Sequence, residues 1–514
     1  MAADAYAAAH EKFAQLIAHL RSLEARQMTH SDLEALLEGE GRALLRRLLP
    51  APLDERSPGP VEEPVMGADG RTPTHQRTQT RRLMTIFGEV EVTRMGYGGH
   101  GIESLQPLEA ALNVPPELYA PGVQHRVAVE AARQAFDDVV APIATTTGAH
   151  VPKRQAEQVV ARAAQDCETF YDTRHCATPQ EAQDTSSVLV LTVDGKGVPM
   201  RQADRRAATR QAAEGHHPPR GPRRQPGERA HTKRMATVAA VYTIRPWVRT
   251  PAESVRALPP TPAVTPARPR PEAQRVWAAL TQPPAEGIDQ VFEEAGRRDP
   301  QRTKQWVALV DGAPTQWGLV DAAAAAYGVT LCLVLELIHV LQSLWQAAWA
   351  LHPPGAPDVE AWVTVRLAHL LRGRSAHVAA GMRRSATLRH LTEAQRAPVD
   401  PGAHSLLKYA DFLHYDAYLA AGFPIATGVI EGACRHLVKD RMAVTGARWS
   451  LQGAEAVLRV RSLWVSGAFE PYWRFHLEQE HKRPHTAHYA GGKVPRSTPP
   501  SKRQTRGTHL RLIQ

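Results

Sequence analysis

Cysteine is scarce in this chain of 514 residues, which has only Cys167, Cys176, Cys332 and Cys434, far apart and without a CxxC pair. That spacing argues against a zinc ribbon and a disulfide framework, and it fits a reducing cytoplasm. Long apolar runs are missing too. The longest, Val329 to Leu341, is interrupted by Glu336 and His339 and is too short to span a bilayer. The N-terminus, MAADAYAAAHEKF, lacks the basic-then-apolar pattern of a signal peptide. A soluble, cytoplasmic, nucleoid-associated protein with no membrane partner is therefore expected. Acid is the minority charge: 52 Asp and Glu face 62 Lys and Arg, of which 10 are lysine, giving a net charge of +10. Such a balance favours a polyanionic partner, and arginine suits bidentate phosphate contacts, although a GC-rich coding sequence also favours arginine.

The chain changes character along its length. Residues 4–48 have the 3–4 apolar spacing of two helices, through Phe13, Leu16, Ile17 and Leu20 and then Leu33, Leu36 and Leu37. The stretch RRLMTIFGEVEVTRMGY predicts a β-hairpin turning at Gly88-Glu89, with Arg81, Arg82 and Arg94 on its shoulders. Residues 122–172 are helical. Within them a turn at Gly148 and a helix opened by Pro152 outline a helix-turn-helix, with Lys153, Arg154 and Gln155 placed to enter a major groove. An ordinary helical hairpin has the same outline.

From Ser187 the pattern turns to strands, at Val188–Val193, Met235–Ile244, Trp306–Val310 and Val329–Leu335. Residues 201–234 carry ten Arg and Lys against three acids and read as a basic excursion lying on phosphate. Residues 251–272 are Pro-rich and expected to be irregular. Residues 340–425 return to helices, and the segment after His481, with eight basic residues and no acid, is expected to be disordered.

Acids stand where strands end. Asp194 follows VLVLTV and Asp311 follows WVALV, each preceding glycine. Either alone is an ordinary turn-starting residue. Two acids leaving one sheet edge are able to share a divalent cation. Glu431 joins them from a helix that Thr427 caps, with Arg435, His436, Lys439, Arg441 and Arg448 crowding behind it. Strand-acid, strand-acid, helix-acid is the layout of an RNase H-like metal nuclease. Hard, hydrated Mg²⁺ prefers such carboxylate oxygens, and two ions about 4 Å apart serve in-line displacement at phosphorus.

Four blocks carry a family resemblance: TVDGKGVPM around Asp194, LVDGAPTQW around Asp311, ELIHVLQSLW at 336–345, and GVIEGACRHLVKDRM with TGARWS around Glu431. With the hairpin at 80–97 they cover most of the chain from about 80 to 465. The sequence resembles a DDE transposase of a bacterial insertion sequence, most similar to the ISKra-type family, distant kin of the Mutator-like transposases. The resemblance implies an α/β protein whose RNase H-like catalytic core carries an all-helical insertion and follows a mostly helical DNA-binding region. It implies Asp194, Asp311 and Glu431 as catalytic, metal-holding residues, with two Mg²⁺ ions for which Mn²⁺ substitutes. Related superfamilies show Asp or Cys, two residues, then His after the second acid. Here Glu336 and His339 stand in that place as an auxiliary pair, or as a polar pair closing a strand.

The resulting domain expectation is an N-terminal helical region (1–78), a DNA-binding region (79–178), a core in two parts (185–338 and 426–470) around the insertion (339–425), and a basic tail (471–514). Arg81, Arg82, Arg94, Lys153, Arg154, Arg435, Lys439, Arg441 and Arg448 are the expected DNA contacts. The expected partners are terminal inverted repeats and target DNA, bound by a homodimer or higher oligomer. A nuclease without strand transfer and a DNA-binding protein domesticated from a transposase are the competing expectations.

Overall fold

The computed structural model describes residues 4–56, 61, 63–173, 187–214, 232–256, 268–353, 355–426, 428–444 and 446–496. The chain forms two compact units, Met1–Phe170 with Ala468–Gln514, and Tyr171–Gly467. Among the described residues no helix is long and apolar enough to cross a membrane.

The first unit opens with helices Ala7–Leu20, Leu23–Gln27 and His30–Leu48, one more than expected, because Ser22 and Thr29 each cap a new helix. Strands β1 (His75–Thr85), β2 (Gly88–Gly99) and β3 (Ile102–Leu105) form an antiparallel sheet. The hairpin turns at Ile86-Phe87, not at Gly88-Glu89, since Thr85 already pairs with Gly88. Its tip meets Gly148: the Gly148 N–H donates to the Ile86 carbonyl at 2.8 Å, and a Cβ there would lie 2.6 Å from the Phe87 backbone. Helices Pro121–Arg133, Phe136–Thr146 and Lys153–Ala163 pack on one another in the helix-turn-helix outline.

The C-terminal segment departs from expectation. Helix Phe469–Lys482 belongs to this first unit, and the described chain continues to residue 496. Tyr489 is buried with Val65, Tyr97, Leu105 and Ala110, and His481 and His485 bond the carbonyls of Ala110 and Val114. Residues 497–514 lie outside the described residues. Buried Asp166, His476 and Glu480 clasp the helix: Asp166 meets His476 Nδ1 at 2.7 Å and also Arg483, while Glu480 accepts from Arg162, Gln165 and Arg483.

The second unit is built on a mixed five-stranded sheet, so the chain is an α/β protein. Strands β4 (Val188–Pro199), β5 (Lys233–Ile244), β6 (Glu272–Ala279), β7 (Gln305–Val310) and β8 (Leu331–Leu335) lie in the order β6-β5-β4-β7-β8. The first three are antiparallel neighbours, whereas β4, β7 and β8 run parallel. Helices Pro284–Arg298 and Pro314–Tyr327 pack together, the former against β4 and β5; the segment Gly428–Met442 and helix Leu451–Val465 form a second layer. Thr237 lies under Gly287 of the first layer, and Tyr242 and Ile244 face the second. Their opposite parity along β5 puts the layers on opposite faces.

Strand β6 was not foreseen, since it follows Pro-rich sequence and is interrupted near Ala273, whose φ is +48°. Of the basic excursion, residues 202–204 form one 3₁₀ turn, 207–214 a helix, and 233–234 start β5. Residues 215–231 lie outside the described residues, as do 257–267 of the Pro-rich stretch, which also holds a short helix, Pro251–Arg256.

The expected helical insertion is present as Leu337–Leu351, Asp358–Leu370, Ser375–Leu388, Glu393–Arg396, Asp400–Lys408 and Tyr415–Ala420. Its apolar residues share one core with the sheet. Tyr415 and Tyr418 donate from their hydroxyls to the carbonyls of Leu335 and Leu333, at 2.8 and 3.2 Å, so the insertion covers the β8 edge.

Helix Pro284–Arg298 is tied to the opposite edge by charge. Burial opposes ionisation of Glu294, but Arg275 on β6 and Arg298 outweigh it and draw its carboxyl from the usual 4.5 to about 2. A lowered folded value stabilises the fold above pH 4.5 and loses that contribution as pH falls toward 2. Glu294→Gln is expected to remove about 3 kcal/mol at neutral pH and to flatten this acid limb. Urea unfolding of the variant and the parent from pH 6 to 2.5 measures it; parallel curves would contradict the assignment.

Candidate functional site

The parallel strands bring the carboxylates together. In the β4–β7 register Thr192 faces Leu309, so two residues on Asp194 stands level with Asp311. In the β7–β8 register Val310 faces Leu335, so Asp311 is level with Glu336. Neighbouring strands are about 4.8 Å apart. Two bonds hold this edge: the Glu336 N–H donates to Val310 O at 3.0 Å, and Gln316 Nε2 donates to Val193 O at 2.5 Å.

Asp194 does not end its strand. β4 continues to Pro199 in antiparallel register with β5, Asp194 opposite Val238. Gly195 and Gly197 serve that pairing instead of a turn. A Cβ on Gly195 would lie 3.1 Å from Met235 Cε, and one on Gly197 would lie 2.9 Å from Lys233 Cδ. Asp311 does behave as a turn residue: its Oδ1 accepts from Ala313 N–H at 2.9 Å, while Gly312 adopts φ +92° before helix Pro314–Tyr327 begins. Tyr409 of the insertion donates to the Gly312 carbonyl at 2.8 Å and fixes the loop.

Glu431 lies in the short helix Gly428–Gly432, exposed, and the chain runs on directly as a π-helix, Ala433–Lys439. Such turns are rare and re-aim the residues they carry. Thr427, the expected cap, lies outside the described residues. Cys434, three residues beyond Glu431, donates its thiol to Asp194 Oδ2 at 3.1 Å. This contact seats the Glu431 turn on the middle strand. Burial pushes the Cys434 thiol far up, with the Asp194 charge adding to it, so Cys434 remains a donor. Nothing in the residue pattern had singled it out; its place three residues after Glu431 was the available signal. The TGARWS block is also anchored to β4: Trp449 N–H donates to Pro199 O at 3.1 Å, and Arg201 N–H to Trp449 O at 2.8 Å.

The auxiliary pair is real as a local contact. Glu336 is buried at the start of helix Leu337–Leu351, and its Oε2 lies 3.7 Å from His339 Nδ1. Carboxylate oxygens are the ligand type a hard divalent cation takes. Asp311 has one oxygen engaged in a described bond, whereas both Asp194 oxygens are engaged, by Gly195 N–H at 2.6 Å and by Cys434. Among the described residues the ligand atoms of Asp194, Asp311 and Glu431 do not all lie within 4.8 Å of one another.

The expected DNA contacts divide. Arg82, Arg154, Arg435, Lys439 and Arg448 are exposed, and Lys153 is exposed with an ion pair to Asp137 at 2.7 Å. Three others face inward. Arg81 and Arg94 both pair with buried Glu109, and Arg81 also reaches the carbonyls of Pro115 and Glu117. Arg441 is 3% exposed and lies over the Trp449 ring, 4.9 Å from its centre. Gln155, foreseen at the groove, instead accepts from the Tyr119 hydroxyl.

The second unit is thus mixed α/β, with Asp194, Asp311 and Glu336 level across the β4, β7 and β8 registers, and Glu431 linked to that row through Cys434 three residues on. The chain matches no protein-family model and no curated protein.

Glu109→Gln leaves two arginines without their carboxylate, and is expected to cost about 3 kcal/mol of first-unit stability. Differential scanning calorimetry on the full chain measures it. No change in either unit's transition would show that Arg81 and Arg94 are free for another partner.

Proposed function

We propose that this chain is a DDE-type DNA transposase. It binds the terminal inverted repeats of an insertion sequence, cuts there and joins the freed 3′-hydroxyl to target DNA. The observations that support this reading are the β4–β7 register, which sets Asp194 level with Asp311, and the Cys434 bond that ties the Glu431-bearing segment to Asp194. A five-stranded mixed sheet with acids on two strands and a later helix is consistent with an RNase H-like core.

Asp194, Asp311 and Glu431 are the residues that would hold two Mg²⁺ ions, with Mn²⁺ able to substitute. Ions held there would supply activation of a water or 3′-hydroxyl and stabilisation of the leaving oxygen of an in-line displacement. The chain's own part is to hold the oxygens in place. Cys434 fixes one oxygen of Asp194, and the Ala313 N–H fixes one of Asp311. Glu336, buried and level with Asp311, adds a carboxylate at that row, with its Oε2 3.7 Å from His339 Nδ1.

Exposed Arg435 and Lys439, on the segment that carries Glu431, and exposed Arg448 supply phosphate contacts, and the helix Lys153–Ala163, with Arg154 exposed, is the groove-entering element. If the resemblance to transposases that act on paired ends holds, a homodimer or higher oligomer on DNA is the expected assembly.

Asp194→Asn, Asp311→Asn and Glu431→Gln are each expected to lower cleavage of a terminal-repeat duplex by roughly 10²-fold or more, with duplex affinity retained. A gel assay in Mg²⁺ that scores both cut and joined products measures this. Near-normal cutting by any one variant removes that residue from the site. Cutting without joining by the parent would favour a nuclease, and binding without cutting a domesticated DNA-binding protein.

A further inference from the structure

The segment that carries Glu431 has a second flank. There a cavity of about 530 Å³ opens between the segment, the ends of β5 and β6, and the arm Arg268–Pro271. Its volume lies in the range of small-molecule sites. The floor is apolar, with Ile244, Val276 and Val429 among its residues and Val465 at the exposed rim. Gly428 and Gly432 leave it open, since a Cβ on either meets nothing within 4 Å. Cys434 projects from the segment to Asp194, whereas Gly432, Ala433 and His436 line the cavity, so one segment borders both.

The charge at this cavity is one-sided. Arg268, Arg270 and His436 line it, and among the described residues no carboxylate does. His436 has a partner in Asp440 at 3.0 Å. Arg268 donates to the Ala426 carbonyl at 2.9 Å, but neither it nor Arg270 is ion-paired to a carboxylate among the described residues. Arg249 lies close by, bonded to the carbonyls of Trp247 and Phe423 and, like them, without a described acid partner. Burial, with the nearby Arg268 charge adding, lowers Arg249 to about 10. Uncompensated cations around an apolar floor suit a ligand with a flat apolar body and an anionic tail.

We propose that this cavity binds one unpaired nucleotide of a DNA single strand, its base against the apolar floor and its phosphate on Arg268 and Arg270. The inference rests on the reading of the chain as a DNA-processing enzyme, and identifies where the strand beside the reacting phosphate is held. A base held there is out of its duplex, so the site favours frayed or single-stranded ends over intact helix. Apolar contact of the base with Ile244, Val276 and Val429 makes no demand on its hydrogen-bonding edge, so little dependence on sequence is expected.

Binding without chemistry tests it. The full chain in EDTA is titrated with a blunt duplex and with the same duplex bearing a six-nucleotide single-stranded overhang. The overhang is expected to tighten binding about ten-fold. Val465→Trp, at an exposed rim position, should fill the cavity, abolish that advantage and leave blunt-duplex affinity unchanged. Arg268→Ala with Arg270→Ala should lower the overhang's contribution to the salt slope by roughly 0.7 for each phosphate no longer held. Equal affinity for the two duplexes, or an overhang advantage that survives both variants, overturns the proposal. If the overhang preference holds but the parent chain cuts no DNA in Mg²⁺, the enzymatic reading falls and this site stands.

Discussion

Like charges at close quarters need a frame that does not yield, and parallel pairing of β4, β7 and β8 is that frame here. Their registers set Asp194, Asp311 and Glu336 in one row across three strands, and backbone bonds on both sides of Asp311 hold the row. Much of the second unit serves this edge. The insertion covers β8 with two tyrosines and reaches the Asp311 loop with a third. β5 pairs with β4 beyond Asp194, and the far end of β4 meets the Trp449 segment. The π-helix then carries Cys434 to the Asp194 carboxylate and with it the turn bearing Glu431. The insertion is therefore a support for the site as well as an interruption of the sheet.

Strands β4, β5, β7 and β8 were legible because buried strands read as continuous apolar runs, but only Asp311 follows a strand end; β4 runs on past Asp194. The insertion was legible from its helical spacing. Strand β6 was not, since its sequence follows prolines and its pairing is interrupted at Ala273. The role of Gly195 and Gly197 was hidden for a different reason: glycine before or after an acid signals a turn locally, and only the partner strand reveals close cross-strand packing.

Charged residues were the least legible. Arg81, Arg94 and Arg441 have the same letter as the exposed Arg82 and Arg448, yet their partners, Glu109 and Trp449, lie 8 to 28 residues away. Sequence position alone does not separate an arginine that holds a fold from one that meets a phosphate. The C-terminal segment failed as a disordered tail on the same grounds. Its histidines and Tyr489 bond and pack against residues more than 350 positions earlier, and no periodic pattern announces such contacts.

The central claim is that the strand acids and Glu431 form one cation-holding site, and direct cation binding tests it more closely than any assay of product. Mn²⁺ titration of the full chain, with free ion followed by electron paramagnetic resonance, should show saturable binding. Asp194→Asn and Asp311→Asn should each weaken it by roughly 10-fold or more, while Asp69→Asn, an exposed acid in the other unit, leaves it unchanged. Binding that is indifferent to Asp194 and Asp311 would contradict the account.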